Sequence, residues 1–233
     1  MKQFKTYIND TLTCSHGEHI NEALSRSQGD RINETLVCSR SEHINEWKYT
    51  RDSNVKSEFV WKRIKFKNRN DLRKEILRRL EINKKSLDLR DIDVSNITSF
   101  FDLFAFSEIS SHPHMDIEMI DITGWDTSNV TDMDSMFFNC INLEVIFGIK
   151  ELDTSSVTTT EAMFSRCNKL RKLDLSKWDP KSFKNCDNMF YGCKSLEELK
   201  GVEQWKDTFN MNNTTGYQMF KQCPEDVKPS WEK

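Results

Sequence analysis

The chain has 233 residues, of which 36% are hydrophobic and 30% are charged, and its formal net charge at pH 7 is −3. This length suits one or two domains, and the near balance of charge predicts no general affinity for nucleic acid or membrane. No apolar run in the sequence approaches the roughly 18 residues that a transmembrane helix needs.

The start of the chain does not read as a secretory signal. Lys2 and Lys5 resemble the basic beginning of a signal peptide, but polar residues follow where its apolar core should be. The sequence therefore predicts a cytoplasmic protein, or one exported by a route that the sequence does not display.

Residues 1–54 contain a repeat with a period of 12 residues, in which Ile-Asn recurs with an acidic residue behind it. An α-helix advances about a third of a turn past register after 12 residues, so two apolar residues per unit build no continuous face. Its units are marked by Ile8, Ile20, Ile32 and Ile44. This pattern favours a flexible or weakly helical arm over a small packed solenoid, and repeated short motifs can act through multivalent binding.

Two Cys/His pairs in this arm have equal spacing, and together they could supply the four ligands that zinc prefers. The pairs are Cys14 with His19 and Cys38 with His43. Both descend from one repeat unit, and the unit between them has arginines at these places. We therefore predict no metal site and no cofactor.

Residues 55–85 form a basic segment with a predicted strand and a predicted amphipathic helix. Leu72, Ile76, Leu77 and Leu80 fall on one helical face, and the segment from 62 to 85 holds eleven lysines and arginines but three acidic residues. The helix is expected to close the first end of a repeat array. A basic run can also bind a polyanion, and the candidate residues are Lys62, Arg63, Lys65, Arg73, Arg78 and Arg79.

Residues 86–224 contain a second, longer repeat, best preserved in the unit that begins at Trp125. Equivalent residues include a Phe column at Phe104, Phe137, Phe164, Phe190 and Phe220, and a Cys column at Cys140, Cys167, Cys193 and Cys223. The cysteine spacings of 27, 26 and 30 residues lie in or beside the range of leucine-rich repeats. Residues 225–233 are expected to form a C-terminal tail.

The period within each unit predicts its local structure. Apolar pairs at alternate positions predict short parallel strands with one covered face; these are Leu87/Leu89, Ile120/Ile122, Phe147/Ile149 and Leu173/Leu175. Val130, Met133, Met136 and Phe137 are spaced as on one face of a short helix, with Thr131 and Asp134 placed to cap its start. The fold class is thus α/β, a solenoid of short strands and short helices.

The string Trp-Asp-Thr-Ser-Asn-Val-Thr-Asp-Met from Trp125 to Met133, followed by Met136-Phe137 and Cys140, resembles the BspA-like leucine-rich repeats of bacterial surface proteins. The resemblance covers roughly residues 87–223. It implies a curved interaction scaffold, in several members an adhesin, that is often found at the cell surface or secreted. It implies no catalytic site.

The cysteines and histidines also favour a non-enzymatic protein. The chain has seven cysteines, an odd number, which favours free thiols over a set of disulfides. No histidine occurs in residues 115–233, so a cysteine nucleophile with a histidine base is not expected there.

Alternation along the strands predicts which side chains are displayed for binding a protein partner. The predicted partner-binding residues are Asp88, Arg90, Met119, Asp121, Ile146, Lys172, Asp174 and Leu199. Met119, Ile146 and Leu199 would form an apolar stripe, and exposed apolar patches often mark partner sites. The alternative is that neighbouring segments cover these strands or that the surface is unused.

Overall fold

The structure is a computed structural model that describes residues 34–40, 43–49, 63–105, 116–211 and 214–232. The chain forms two compact units, Met1–Lys62 and Arg63–Lys233. No helix among the described residues is both long enough and apolar enough to cross a membrane.

The described part of the first unit is a β-hairpin. Strand β1 (Glu34–Arg40) pairs antiparallel with β2 (His43–Tyr49), with Leu36 opposite Trp47. Strand β1 contains a threonine and a valine, and β2 contains an isoleucine and two aromatic residues; these residue types favour extended chain. In these two segments the chain is therefore a hairpin, where the sequence favoured a flexible or weakly helical arm. The other residues of the arm, including Cys14 and His19, lie outside the described part.

The second unit begins with the predicted amphipathic helix. Strand β3 (Ile64–Lys65) pairs in parallel with β5 (Ile92–Asp93), and α1 (Arg69–Ile82) lies between them in the chain. Asn68 accepts a hydrogen bond from the amide of Asp71, as an N-cap residue does. Of the four residues on the predicted apolar face, Leu72, Ile76 and Leu80 are buried and Leu77 is half-buried.

Short parallel strands follow, one in each repeat. Strands β4 (Ser86–Asp88), β6 (Met119–Asp121) and β7 (Val145–Phe147) form one sheet, and β8 (Lys172–Asp174) pairs with β9 (Glu198–Lys200). The mixed α/β class with short parallel strands is confirmed.

The helix predicted over residues 130–137 is wrong, because this stretch forms turns that hydrogen-bond to the next repeat. Ser135 and Asn139 have positive φ angles of 55° and 60°, and the amides of Met133, Ser135 and Phe137 donate to carbonyls about one repeat further along the chain. Equivalent turns recur in the later repeats. The left-handed residues direct the apolar side chains inward at helix-like spacing without forming a helix.

These turns form a second ladder, which runs through five repeats without interruption. Parallel bridges join Ser99, Asp132, Thr159, Asn185 and Thr215 in that order. Within each turn, every second amide donates to the following repeat, as Met133 does, and every second carbonyl accepts from the preceding repeat, as that of Asp132 does. The turn ladder therefore has a carbonyl end and an amide end.

Helix α1 supplies hydrogen-bond donors to the carbonyl end. Arg69 Nε donates to the Phe101 carbonyl at 2.6 Å, and the Arg73 guanidinium donates to the carbonyls of Leu103 and Ala105 at 2.8 Å each. Buried carbonyls need partners, so these two arginines take the place of a preceding repeat.

We expect Arg73→Met to lower the free energy of unfolding by about 1–3 kcal/mol, the cost of leaving buried polar groups without partners. Methionine keeps an apolar stem but donates no hydrogen bond. Urea unfolding followed by tryptophan fluorescence measures the change. The control is Lys74→Met on the same helix, whose side chain is 78% exposed. Equal stability of both variants would show that the guanidinium bonds contribute nothing.

The core consists of side-chain columns that run from repeat to repeat. The rings of Phe104, Phe137, Phe164, Phe190 and Phe220 stack with centroid separations of 5.0, 5.5, 5.7 and 5.3 Å. Beside them, each cysteine of the Cys column donates to the carbonyl of the phenylalanine one repeat earlier, as Cys167 does to Phe137 at 3.2 Å. These four cysteines and Cys186 are free and buried, which confirms the thiol prediction for them.

The C-terminal residues pack against the last repeat. Helix α2 (Lys206–Met211) follows a 3-10 turn, Val202–Trp205. Trp231 lies 5.3 Å from the ring of Phe209 and 5.9 Å from that of Phe220, and the amide of Ser230 donates to Glu203. The tail thus covers apolar side chains of the final repeat.

Candidate protein-binding face

The strands place two rows of side chains on their outer face, one on each side of a buried central residue. Leu87, Ile120 and Ile146 are central and pair with one another across the first sheet. One outer row contains Met119 and Val145, and the other contains Asp121 and Phe147. The strand register therefore decides which residues a partner can reach.

Two predicted outward residues are not displayed. Ile146 is only 7% exposed, and Leu199 is partly buried against the core. Phe147, which the alternation placed inward, is 48% exposed, and Val145 is 40% exposed. The prediction was wrong in these two repeats because their strands are displaced by one residue from the counted register.

A single glycine causes each displacement. Gly148 follows β7 with φ of 86°, and Gly201 follows β9 with φ of 97°; β6 and β8 have no such insertion before Ile122 and Leu175. A Cβ on Gly148 would lie 2.6 Å from the Thr123 amide nitrogen. The extra residue forms a tight left-handed turn, and a 3-10 turn that begins with a buried residue, Ile149 or Val202, follows it. Each glycine directly behind a strand was the signal that could have revealed the shift.

The result is an exposed apolar cluster, Met119, Val145 and Phe147, which we name the strand-face patch. Met119 is 36% exposed and lies opposite Val145 on the neighbouring strand. Phe147 is on the same strand and face as Val145, two residues further. Three large apolar side chains are thus adjacent and accessible to a partner.

Charged residues surround the patch, and most are paired with each other. Arg90 donates two hydrogen bonds to Asp88 and lies 3.4 Å from Asp121. The hydrogen bond from Arg90 holds the pKa of Asp88 below its ordinary value. Of the other predicted residues, Lys172 pairs with Glu198 on the last strand, and Lys150 bonds Asp174 at 2.7 Å and lowers the pKa of Asp174. The charged residues around the patch therefore form a polar rim with little net charge.

The strand ladder is interrupted directly beside the patch, between β7 and β8. In the other repeats, the amide two residues after the central strand residue donates to the next strand, as Leu175 does to Lys200. In β7 this residue is Gly148, and no bond from its amide to β8 exists among the described residues. Two side-chain bonds span the gap between these strands, in addition to the turn ladder: Trp178 Nε1 donates to the Ile149 carbonyl at 2.8 Å, and Lys150 bonds Asp174.

The predicted polyanion-binding residues are mostly engaged within the chain. Arg73 bonds the turn ladder, Arg79 bonds Glu75 and Asp91, and Arg78 bonds Glu75. Arg63 donates to the Gly124 carbonyl, and Lys65 lies 3.6 Å from Asp93. Lys62 lies outside the described residues.

Burial suppresses the ionisation of three cysteine thiols in the core. Burial raises the pKa of Cys140 and Cys167 well above the ordinary value and that of Cys186 to about 12, so these thiols remain protonated at neutral pH. Within the described part of the chain, no three His, Cys, Asp or Glu side chains are placed to hold a metal ion. The side chains of Cys38 and His43 are not among those described.

An open cavity of about 740 Å³ lies beside the last two strands, and its lining carries both signs of charge. Its basic residues are Lys169, Arg171 and Lys194, and its acidic residues are Glu144, Glu197 and Asp226. Arg171 is already paired with Glu197. The cavity therefore favours neither an anionic nor a cationic ligand.

No curated protein and no solved structure matches the chain. A family model does match residues 105–230, more than half of the chain and the part that contains four of the five stacked phenylalanines. The chain therefore belongs to the family described as "Mycoplasma protein of unknown function, DUF285".

Proposed function

We propose that this chain is a non-enzymatic leucine-rich-repeat solenoid, similar to the BspA-like repeats, that binds another protein through the strand-face patch. Support for the repeat assignment comes from the strand in each repeat, the turn ladder and the stacked phenylalanines. The resemblance extends the proposal to adhesion or recognition of a host protein.

The observation that carries the proposal is the exposure of Met119, Val145 and Phe147 on adjacent strands. Scattered exposed apolar residues are ordinary, whereas contiguous ones rimmed by polar groups are typical of partner sites. The cores of protein interfaces are rich in aromatic residues and methionine and poor in charge. The patch has this composition, and its paired rim can exchange hydrogen bonds with a partner.

The alternative function is binding of nucleic acid or another polyanion through the basic segment 62–85. Exposed lysines of this segment favour it, among them Lys67, Lys74 and Lys84. Arg73 and Arg79 favour it less, because their guanidinium groups already bond carbonyls or carboxylates of the same chain. We therefore rank this function second.

We expect Phe147→Glu to weaken binding of the captured partner by about 30-fold or more, as removal of an interface hot spot does. Glutamate places a charge at the centre of the apolar contact. The full chain is immobilised to capture a partner from nuclease-treated extract, and the purified partner is then titrated against both forms. Circular dichroism verifies that the variant remains folded.

The matched control is Ile82→Glu, which changes another exposed apolar residue, 76% accessible at the end of α1. It should leave the affinity nearly unchanged, and binding should depend weakly on salt. Unchanged affinity of Phe147→Glu would reject the strand-face patch. Loss of binding on Lys74→Glu, together with steep salt dependence, would instead support the polyanion alternative.

A further inference from the structure

The methionines whose side chains the structure describes occupy two environments. Five lie in the core and are at most 1% exposed; we call them the core methionines, and they are Met133, Met136, Met163, Met189 and Met219. Met119 is 36% exposed and belongs to the strand-face patch. Among these described side chains, Met119 therefore carries the one thioether that a reagent in solution meets on the surface.

Backbone bonds hold Met119 in place from both sides of its strand. Met119 lies on β6, the middle strand of three, and is paired with Ser86 on one side and Val145 on the other. Its amide donates to the Lys85 carbonyl at 3.1 Å, and the Val145 amide donates to the Glu118 carbonyl at 3.2 Å. None of these bonds involves the thioether. A change confined to the sulfur therefore alters the surface of the strand-face patch and leaves the strand pairing intact.

We infer that Met119 is a modification site, at which a hydroperoxide oxidises the thioether to the sulfoxide and thereby weakens binding at the strand-face patch. The effect on binding rests on the proposed function of the patch, whereas the oxidation itself does not. Methionine sulfoxide is polar and chiral, and its formation disrupts interfaces that contain methionine.

The reaction transfers one oxygen atom to Met119. A lone pair of Sδ attacks one oxygen of hydrogen peroxide, and the S–O bond forms as the O–O bond breaks. The departing hydroxide takes the proton of the transferred hydroxyl group and leaves as water, so sulfur loses two electrons and the peroxide gains them. The product places a strong hydrogen-bond acceptor where the patch would contact a partner, and burial of such a group without a donor is unfavourable.

The other groups near Met119 and in the core are less open to this reaction. Val145 and Phe147 are 40% and 48% exposed, but their hydrocarbon side chains do not react with a hydroperoxide. The five described cysteines of the core are buried, and burial raises the pKa of Cys140 and Cys167, so little reactive thiolate is present. Among the described residues, mild oxidation should therefore be concentrated at Met119.

The first measurement is peptide mapping by mass spectrometry while the full chain is exposed to hydrogen peroxide. Met119 should gain one oxygen atom at least about tenfold faster than the core methionines, which need local opening of the structure before they react. The circular dichroism spectrum should not change. This measurement needs no partner.

The second measurement is titration of the oxidised chain with the purified partner used for Phe147→Glu. The affinity should fall by about tenfold, because the sulfoxide loses water in the interface. Reduction by the two stereospecific methionine sulfoxide reductases, with dithiothreitol as the reductant and water as the second product, should restore the affinity. Damage to the fold would not be reversed in this way.

Met119→Leu is the matched control, because leucine keeps a similar apolar volume but has no sulfur. Its affinity should remain near that of the unmodified chain before and after peroxide, although every other oxidisable residue is still present. Met119→Gln, which is polar and of similar length, should lose affinity without any oxidant.

Three outcomes would overturn the inference: equal oxidation rates at Met119 and at the core methionines, unchanged affinity of the chain oxidised at Met119, or an equal loss of affinity in peroxide-treated Met119→Leu. If Phe147→Glu loses affinity but the Met119 sulfoxide does not, this inference alone fails. If Phe147→Glu also binds with unchanged affinity, the strand-face patch itself is rejected.

Discussion

Phe137→Ala is expected to lower the free energy of unfolding by about 3–5 kcal/mol, the range for loss of a buried aromatic side chain. Phe137 is fully buried and stacks on Phe104 at 5.0 Å and on Phe164 at 5.5 Å. Alanine would leave a cavity between two repeats. Both adjoining rings are held by backbone bonds of the turn ladder, so little collapse into the cavity is expected.

Urea unfolding followed by circular dichroism measures this change, and Phe101→Ala is the matched control. Phe101 is 49% exposed and lies outside the column, beneath the Arg69 guanidinium. Its removal should cost about 1 kcal/mol or less. A loss as small in Phe137→Ala would mean that the repeats do not share one continuous core.

Gly201→Ala is the second large expected effect, a loss of about 3 kcal/mol. About 1 kcal/mol reflects the left-handed conformation that alanine resists, because φ at Gly201 is 97°. The rest, about 2 kcal/mol, is typical of overpacking, since a Cβ here would lie 2.5 Å from the carbonyl oxygen of Leu175. That carbonyl belongs to the backbone of the preceding repeat, which cannot move aside as a flexible side chain could.

Gly192→Ala separates the two causes. Gly192 also has a positive φ, 75°, but the nearest atom to its added Cβ would be 3.7 Å away. It should therefore lose only about 1 kcal/mol, the conformational cost alone. The midpoints of thermal unfolding rank the two variants. Equal losses would show that the close approach of the repeats at Gly201 is not a constraint.

Repetition made much of the core predictable. Counting from Trp125 aligned Phe104, Phe137, Phe164 and Phe190, and the structure stacks all four. Phe220 joins the column although its spacing differs, because helix α2 and its flanking residues take up the extra chain. When repeats stack in register, each residue contacts the equivalent residue of the neighbouring repeat. The sequence alone therefore determines those contacts.

The candidate site was less predictable, because a one-residue shift exchanges the two faces of a strand. Asp88, Met119, Asp121, Lys172 and Asp174 lie on the outer face as expected, since their strands keep the counted register. Ile146 and Leu199 do not, because Gly148 and Gly201 each insert a residue. The sequence alone does not say whether such a glycine continues the strand or ends it with a turn.

The helix-like spacing of Val130, Met133 and Phe137 has a similar explanation. Residues in a left-handed conformation at Ser135 and Asn139 reproduce an inward-facing period close to that of a helix. Whether the backbone bonds within a turn or to the next repeat depends on the presence of that repeat. This is a property of the stack and not of the segment.

The sequence by itself determined the number of repeats, the columns that fill the core and the basic character of the helix before them. The tertiary structure decided where the backbone hydrogen bonds go, and with them the exposure of Phe147 and the use of Arg69 and Arg73. Side-chain columns follow from which residues recur, whereas the direction of each N–H and C=O follows from φ and ψ, which neighbouring repeats fix.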